Sequence, residues 1–589
     1  MHVHIKSNYV MNQFKYLIFG SLLLTACAQN PVQPELAQQP NPHESAHGSQ
    51  ADTSLALPNV ELTDELLYEF LLSEVASQRG QSALAAKSSS SLAKKTRDPR
   101  IAMRAAQLAM EAGNMDEAIA AIDIWQEVEP GSTIAMRMKV SALLRKGKLD
   151  EARLEIQRVL KAEESHAGFV FMQIYQMLAS YPDKAAALQL MRDLAQPYPK
   201  VIEAHWAVAQ IAQASGEYTL ALDETRQVRK LRPEWDMAAS MEALLLLRND
   251  PQQALDVLRR YLSNYPEAKE LRLQYARTLL DQKQYKVARE QFQILADESP
   301  ENPELAYAIA LISLQLNDLQ NAEIQLKESL NKGKKDRDTI QYYLAQLSEA
   351  KKSEEDAFAY YREVKSGEYL FPAQVRIAYL LSKRGDLDQA RQLLHQTQHA
   401  NIEQRVQLAL IEAQILREAK QFAESYKVLQ QELVKLPDNP DLLYGVAMMA
   451  DKIGKPDVLE QLIRKLIKIE PDNAHAYNAL GYSFLERNER IPEGVQLVEK
   501  ALQLAPDDPA IMDSVGWGHY RSGKLDESIK MLRRALAGNP DPDPEVAAHL
   551  GEVLWVRGDK DEAKKIWQDS LKDNPDSEPL QAVIKKFMP

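Results

Sequence analysis

The chain has 589 residues, a formal net charge of −13 and a single cysteine. That charge excludes an electrostatic footprint for nucleic acid or an anionic lipid surface, and one cysteine excludes a disulfide framework or a paired-cysteine metal site. The length exceeds what one central hydrophobic core serves, so several domains or a repeat array are required.

The first segment, residues 1–26, reads as a signal peptide. Within MNQFKYLIFGSLLLTAC (residues 11–27), Lys15 supplies a positive start, Tyr16 to Leu24 a short apolar run, and Thr25-Ala26 small residues before a cleavage point. The run is too short for an ordinary spanning helix. Met11 is an alternative start to Met1, because the first ten residues add nothing that the signal needs. Leu24-Thr25-Ala26-Cys27 resembles the bacterial lipobox, which implies that Cys27 carries the lipid and becomes the mature N-terminus. Two or more acyl chains anchor stably to a membrane, whereas one is marginal. In lipoproteins an Asp after the Cys favours retention in the inner membrane. Ala28 stands there instead, and the resemblance implies the periplasmic face of the outer membrane. Loss of Lys6 and Lys15 with the signal leaves the remainder at about −15.

Residues 27–60 follow as an acylated cysteine and a flexible tether, rich in Pro, Gln, Asn, Ser and Ala. Some thirty such residues give a root-mean-square reach of roughly 30 Å. His43-Glu44-Ser45-Ala46-His47 matches the H-E-x-x-H zinc signature. That motif works only on a helix, where both imidazoles share a face. Pro40, Pro42 and Gly48 surround it, so it is read as tether.

From residue 61 a small residue recurs, at intervals of 33 to 35 over its first eleven positions: Ala85, Ala118, Ala152, Ala187, Ala221, Ala254, Ala288, Ala322, Ala357, Ala390 and Ala423; Leu459, Gly494 and Ser528 then hold the slot before Ala563. Such a period is the signature of stacked helix pairs. About five residues before the beat stands a Gly (Gly80, Gly113, Gly147, Gly216, Gly385, Gly454, Gly523, Gly558) or an Asn (Asn249, Asn317, Asn488). Gly and then Asn are preferred for a left-handed helix-ending residue. About twelve residues after the beat comes Pro, as at Pro130, Pro266, Pro471, Pro506 and Pro575, closing the second helix. The unit is helix, turn, helix, Pro turn. Residues 61–400 carry it in degenerate form. The charged stretch Lys332 to Asp338 and the weak repeat near His399 to Gln404 are candidate joints. His395 and His399 lie four apart on an expected second helix, and two exposed histidines so placed are read as solvated.

Residues 401–589 carry sharper repeats and end in an expected capping helix. AYNALGYSF (476–484) puts Tyr477, Leu480, Gly481 and Phe484 on one face, with Gly481 allowing close approach of a neighbour. Val515-Gly516 and Leu550-Gly551 repeat it. These units resemble the tetratricopeptide repeat. The resemblance implies an all-α, right-handed superhelical solenoid of about fifteen helix pairs, preceded by a disordered tether. GHYRSGK (518–524) imitates a phosphate loop, but Leu525 replaces the needed Ser or Thr and Gly523 is the repeat's turn. No catalytic, cofactor or metal site and no small-molecule substrate is expected.

Surface recognition remains. First helices line the concave face of such a solenoid. The expected partner-binding groove comprises Tyr444, Asn478, Tyr482, Asp513, Trp517, Tyr520, Arg521 and Trp555. Tyr, Trp and Arg most often dominate binding energy. Each ring has a second role open to it, packing between repeats. Trp206 and Tyr342 take similar positions further back.

The lipobox, the tether, the opening LTDELLYEFLLSEVASQRG and the stretch GYSFLERNERIPEGVQLVEKALQLAPDDPAIMDSVGW are together similar to tetratricopeptide outer-membrane lipoproteins of gammaproteobacteria. One such type is the lipoprotein adaptor of a periplasmic carboxyl-terminal processing protease. That resemblance implies a non-enzymatic scaffold that binds the protease and its cell-wall hydrolase substrates at the membrane. An alternative from the same class is a scaffold for exopolysaccharide export or outer-membrane assembly.

Overall fold

In a computed structural model of the chain, residues 58–399, 401–538 and 543–588 are described. The signal segment, Cys27, most of the tether and the His43–His47 motif lie outside them. The described residues hold 31 α-helices and no strand. They form fifteen antiparallel helix pairs and one final helix, the number expected from the period.

They fall into two compact units that divide between Lys332 and Gly333, inside the first of the two candidate joints. The first unit holds α1–α16, from α1 (Asp64–Gln78) and α2 (Ser82–Thr96) to α16 (Leu319–Asn331). The second holds α17–α31, beginning with α17 (Arg337–Ala350) and α18 (Glu354–Arg362). Five of its later pairs matter below. They are α21 (Ile402–Glu418) with α22 (Phe422–Lys435), α23 (Pro440–Lys452) with α24 (Pro456–Ile469), α25 (Ala474–Glu486) with α26 (Ile491–Leu504), α27 (Pro509–Arg521) with α28 (Leu525–Ala537), and α29 (Pro544–Arg557) with α30 (Lys560–Asp573). The last helix is α31 (Glu578–Phe587).

Local chemistry sets these boundaries. From α21 onward each first helix of a pair opens on an Asn or Asp cap, often followed by Pro at a position whose N–H has no helical partner. Asn473 Oδ1 accepts from Ala476 N at 3.0 Å, and Asp508 Oδ1 accepts from Ala510 N at 2.9 Å and Ile511 N at 3.1 Å. Second helices stop two residues before the expected prolines: α24 before Pro471, α26 before Pro506, α30 before Pro575.

The small-residue slot is where the two helices of a pair cross. Ala85, Ala118, Ala152, Ala187, Ala221, Ala254, Ala288, Ala322, Ala357, Ala390 and Ala563 are all fully buried. One position of the expected beat is displaced. Ala423 is exposed, and Ser425 occupies the slot with no exposed surface. Its Oγ donates to Ala413 O in the facing helix at 2.8 Å, as Ser528 Oγ does to Gly516 O at 2.7 Å. Where the slot is Gly494, the partner is Gly481. A Cβ on Gly481 would stand 2.8 Å from Gly494 O, so backbone meets backbone there.

The turn between paired helices also differs from expectation at several repeats. All eight expected Gly residues have positive φ, as do Asn317 and Asn488. Asn249 does not. Lys283, Lys352 and Lys420 adopt the left-handed conformation that their repeats require without Gly. An L-residue there carries about 1–2 kcal/mol of strain, part of which Gly loses again through chain entropy. Lys352→Gly, at φ 60, is therefore expected to stabilise the second unit by about 0.5–1 kcal/mol, read as a higher denaturant midpoint. An unchanged or lower midpoint would contradict this.

The helix α20 (Leu387–Gln396) ends before His399, so His395 and His399 do not share a helical face. His395 Nε2 instead lies 2.8 Å from Glu412 Oε2, and Arg391 approaches the same carboxylate.

Candidate partner-binding surface

Within the second unit, first helices of successive pairs pack on one another, from α21 on α23 through α29 on α31, whereas second helices make no comparable contacts. A row that closes on one side and opens on the other curves, and the first helices line its inner face. Side chains one helical turn apart on each first helix therefore form ladders that cross repeats: Tyr444, Asn478, Asp513 and His549 make one, Tyr482, Trp517 and Glu552 another.

The structure brings five of the expected groove residues into one cluster. Asp513 and Trp517 are buried, while Tyr482, Tyr520 and Arg521 are half-buried. Both carboxylate oxygens of Asp513 lie 3.0 Å from His549 Nδ1. The Trp517 ring stacks on the His549 imidazole at 4.1 Å between centroids, and the Arg521 guanidinium sits 4.9 Å above the same indole. Tyr482 Oη donates to Glu545 Oε1 at 2.8 Å, joining α25 to α29 two repeats on. Tyr520 Oη donates to Glu552 Oε1 at 3.2 Å, and Lys586 Nζ from α31 donates to the same oxygen at 2.9 Å.

Burial alone would lower the His549 pKa, but the Asp513 carboxylate beside it, with Glu545 and Glu486, pushes it up to about 9. Burial raises Asp513 in turn, against the attraction of His549. Carboxylates from neighbouring repeats thus favour the protonated form of the imidazole. The cluster's polar groups mostly face one another, so it is the closed part of the inner face. Trp517 Nε1, Arg521 Nε and Asn478 Oδ1 are buried polar atoms there without a hydrogen-bond partner among the described residues.

The other expected residues sit elsewhere. Trp555 is half-buried in the capping cluster, 5.7 Å from Trp567 and 5.9 Å from Phe587. Tyr444 lines a cavity of about 540 Å³ with Leu410, Gln414, Arg417, Met448 and His475. Burial and the Asp508 carboxylate push the Tyr444 phenol up, although Asp508 lies on a repeat two further along. This cavity is the open part of the inner face. It combines Met and Leu surface with Arg417, Tyr444 and His475 and with the acidic Asp441 and Glu470. Earlier rings are packing elements: Trp206 is buried against Trp235 at 4.9 Å, and Tyr342 stacks on Tyr369 at 4.7 Å.

Sequence reading missed His549, Glu545 and Glu552. The 35-residue step that leads from Tyr482 to Trp517 leads on to Glu552 and would have found it, whereas His549 lies 36 residues after Asp513, one off the same count. In GHYRSGK, Gly518 to Arg521 are the last turn of α27 and Gly523, at φ 78, is the repeat turn. Among the described residues no group of three or more His, Cys, Asp or Glu side chains is placed to hold a metal ion.

Models of the tetratricopeptide repeat match residues 103–167, 240–303, 273–338, 457–509 and 519–586. A TPR repeat-containing protein of Pseudomonas aeruginosa is 32% identical over 481 residues, which cover 81% of this chain and 81% of that protein. Among solved structures, a thermophilic TPR protein of Thermus thermophilus is 19% identical with a TM-score of 0.29, covering 31% of this chain and 98% of its own. MamA from Desulfovibrio magneticus is 18% identical with a TM-score of 0.25, covering 29% and 97%.

Proposed function

The chain belongs to the tetratricopeptide-repeat family, a scaffold for protein–protein interaction, and from that premise we propose that it is a membrane-anchored periplasmic adaptor. In this reading it binds a carboxyl-terminal processing protease and presents substrates such as cell-wall hydrolases to it. The observation that carries the proposal is the order of parts along the chain: a lipobox-like Leu24-Thr25-Ala26-Cys27, a Pro- and Gln-rich tether, then fifteen helix pairs. The anchor confines the array to a surface. The inner face, with its cavity at Tyr444 and Arg417, supplies recognition area and no chemistry of its own. Holding protease and substrate on one scaffold raises their effective concentration to the millimolar range without a new catalytic group.

Affinity capture of the intact chain from a crosslinked envelope tests the proposal. The expected result is co-recovery of a periplasmic protease and hydrolase substrates. Recovery of a secretin, porin or polysaccharide synthase complex instead would overturn it in favour of an export or assembly scaffold. The anchor has its own readout: Cys27→Ser is expected to move the folded chain from the membrane fraction to the soluble one.

A further inference from the structure

Helix α1, the first of the described helices, leaves a row of apolar side chains that no described residue covers. Terminal repeats of a solenoid need a polar outer surface. The final helix α31 obeys this, burying Leu580 and Val583 and exposing Gln581, Ala582 and Lys585. In α1 only Ser73 and Ala76 are buried, while Leu67, Leu71 and Val75 are 43%, 52% and 43% exposed. Tyr68 and Phe70 flank that row and are also exposed. Contiguous apolar surface of this kind marks an interaction site.

The row is also palindromic. Asp64, Leu67, Leu71, Val75 and Gln78 are spaced three, four, four and three residues apart. At 100° per residue they lie in one stripe about 80° wide, symmetric about Leu71. A two-fold interface demands this kind of self-complementarity, since each residue must meet the mate of its counterpart. We propose that α1 pairs antiparallel with α1 of a second copy of this chain, about a two-fold axis through Leu71. Leu71 then faces Leu71 of the partner subunit, Leu67 faces Val75 in both directions, and the ends match in polarity. The Gln78 amide and the Arg79 guanidinium meet the Asp64 carboxylate of the other copy. The helix dipoles oppose, which is the favourable arrangement for side-by-side helices. Acids on the other flank already have partners within the chain. Lys95 Nζ reaches Glu65 at 2.6 Å and Glu69 at 3.0 Å, and Arg104 reaches Glu74 at 3.2 Å. Asp64 on the stripe itself argues against a lipid surface, where an ionised carboxylate is costly.

Single-cysteine crosslinking in the full chain, with Cys27→Ser to remove the native thiol, tests the register. Leu71→Cys is expected to oxidise to a disulfide-linked dimer nearly completely. Leu67→Cys and Val75→Cys, each alone, are expected to give less than about a tenth of that yield, because the like residues stand about 12 Å apart along the pair, beyond disulfide reach. Mixing the Leu67→Cys chain with the Val75→Cys chain is expected to restore the dimer. Ala582→Cys, exposed on α31, sets the background. All these positions are exposed, so helicity by circular dichroism is expected to stay constant. A monomeric Leu71→Cys chain overturns the proposal, and so does equal crosslinking of Leu67→Cys alone, which would mean a parallel pair. Flotation of a monomeric Cys27→Ser chain with phosphatidylethanolamine vesicles, abolished by Leu71→Glu, would also overturn it and assign the face to lipid.

Discussion

Gly551→Ala is expected to destabilise the C-terminal end of the second unit by about 3 kcal/mol, at the upper end of what overpacking costs. Gly551 lies in α29 directly against the Trp567 indole of α30, and a Cβ there would overlap Nε1 and Cε2 of that ring. Trp567 cannot step aside. It is fully buried, its Nε1 donates to Ala548 O at 3.3 Å, and its ring packs against Trp555 and Phe587. Phe587 belongs to α31, so displacing the indole also loosens the cap that covers the last pair. Guanidinium denaturation of the variant is expected to show an earlier transition, and limited proteolysis to cut first within residues 544–588. A second substitution at the ring distinguishes this mechanism from a generic helix effect. Trp567→Leu alone removes buried area and destabilises. In the Gly551→Ala background the same change relieves the overlap, so the two losses should fall short of their sum by about 1 kcal/mol or more. Strict additivity would refute the account.

Asp513→Ala is expected to cost about 3–5 kcal/mol near pH 6, because it leaves the buried His549 imidazolium without its nearest counter-charge. The pair also makes stability depend on pH. His549 has its pKa raised in the folded state, from an ordinary 6.5 to about 9. Its contribution is fully present below pH 6.5 and is lost as pH rises through about 9, at most about 3 kcal/mol in total. The raised Asp513 acts in the same direction at lower pH. A group that binds its proton more tightly when folded loses stability as that proton leaves. The wild-type denaturation midpoint is therefore expected to fall between pH 6.5 and about 9, and His549→Gln is expected to flatten that fall. A midpoint that rises over the same range would contradict the assignment of the proton to His549.

The repeating frame was legible because its causes are local. A helix ends where a left-handed residue or a Pro forces it to, and two helices cross closely only over a small side chain. Thus Gly481, Gly516 and Gly551 mark close approaches from sequence alone, and the period counts the pairs. The frame was misread where two neighbouring residues could serve equally. Ala423 and Ser425 stand two apart, and only the facing carbonyl of Ala413 selects the serine. Lys283, Lys352 and Lys420 were missed as turn residues because packing on either side imposes their backbone against their own preference.

The expected groove divides along the same line. Periodicity placed Asp513, Trp517 and Tyr520 on a first helix's inner face. It gave no sign that His549, in the next repeat, would turn that stretch into a packed ionic cluster, while Tyr444 in an earlier repeat would border a cavity. That depends on the offset between neighbouring helices, set by the side chains that interdigitate between repeats. Helix pairs, their turns and their small crossing residues can be read from the order of amino acids, because each is decided within one repeat of 33 to 35 residues. Which side chains of the inner face are closed and which open emerges from the packed array alone, as does the apolar stripe of α1 that no described residue covers. Both depend on what the adjacent helices present, and no single repeat carries that information.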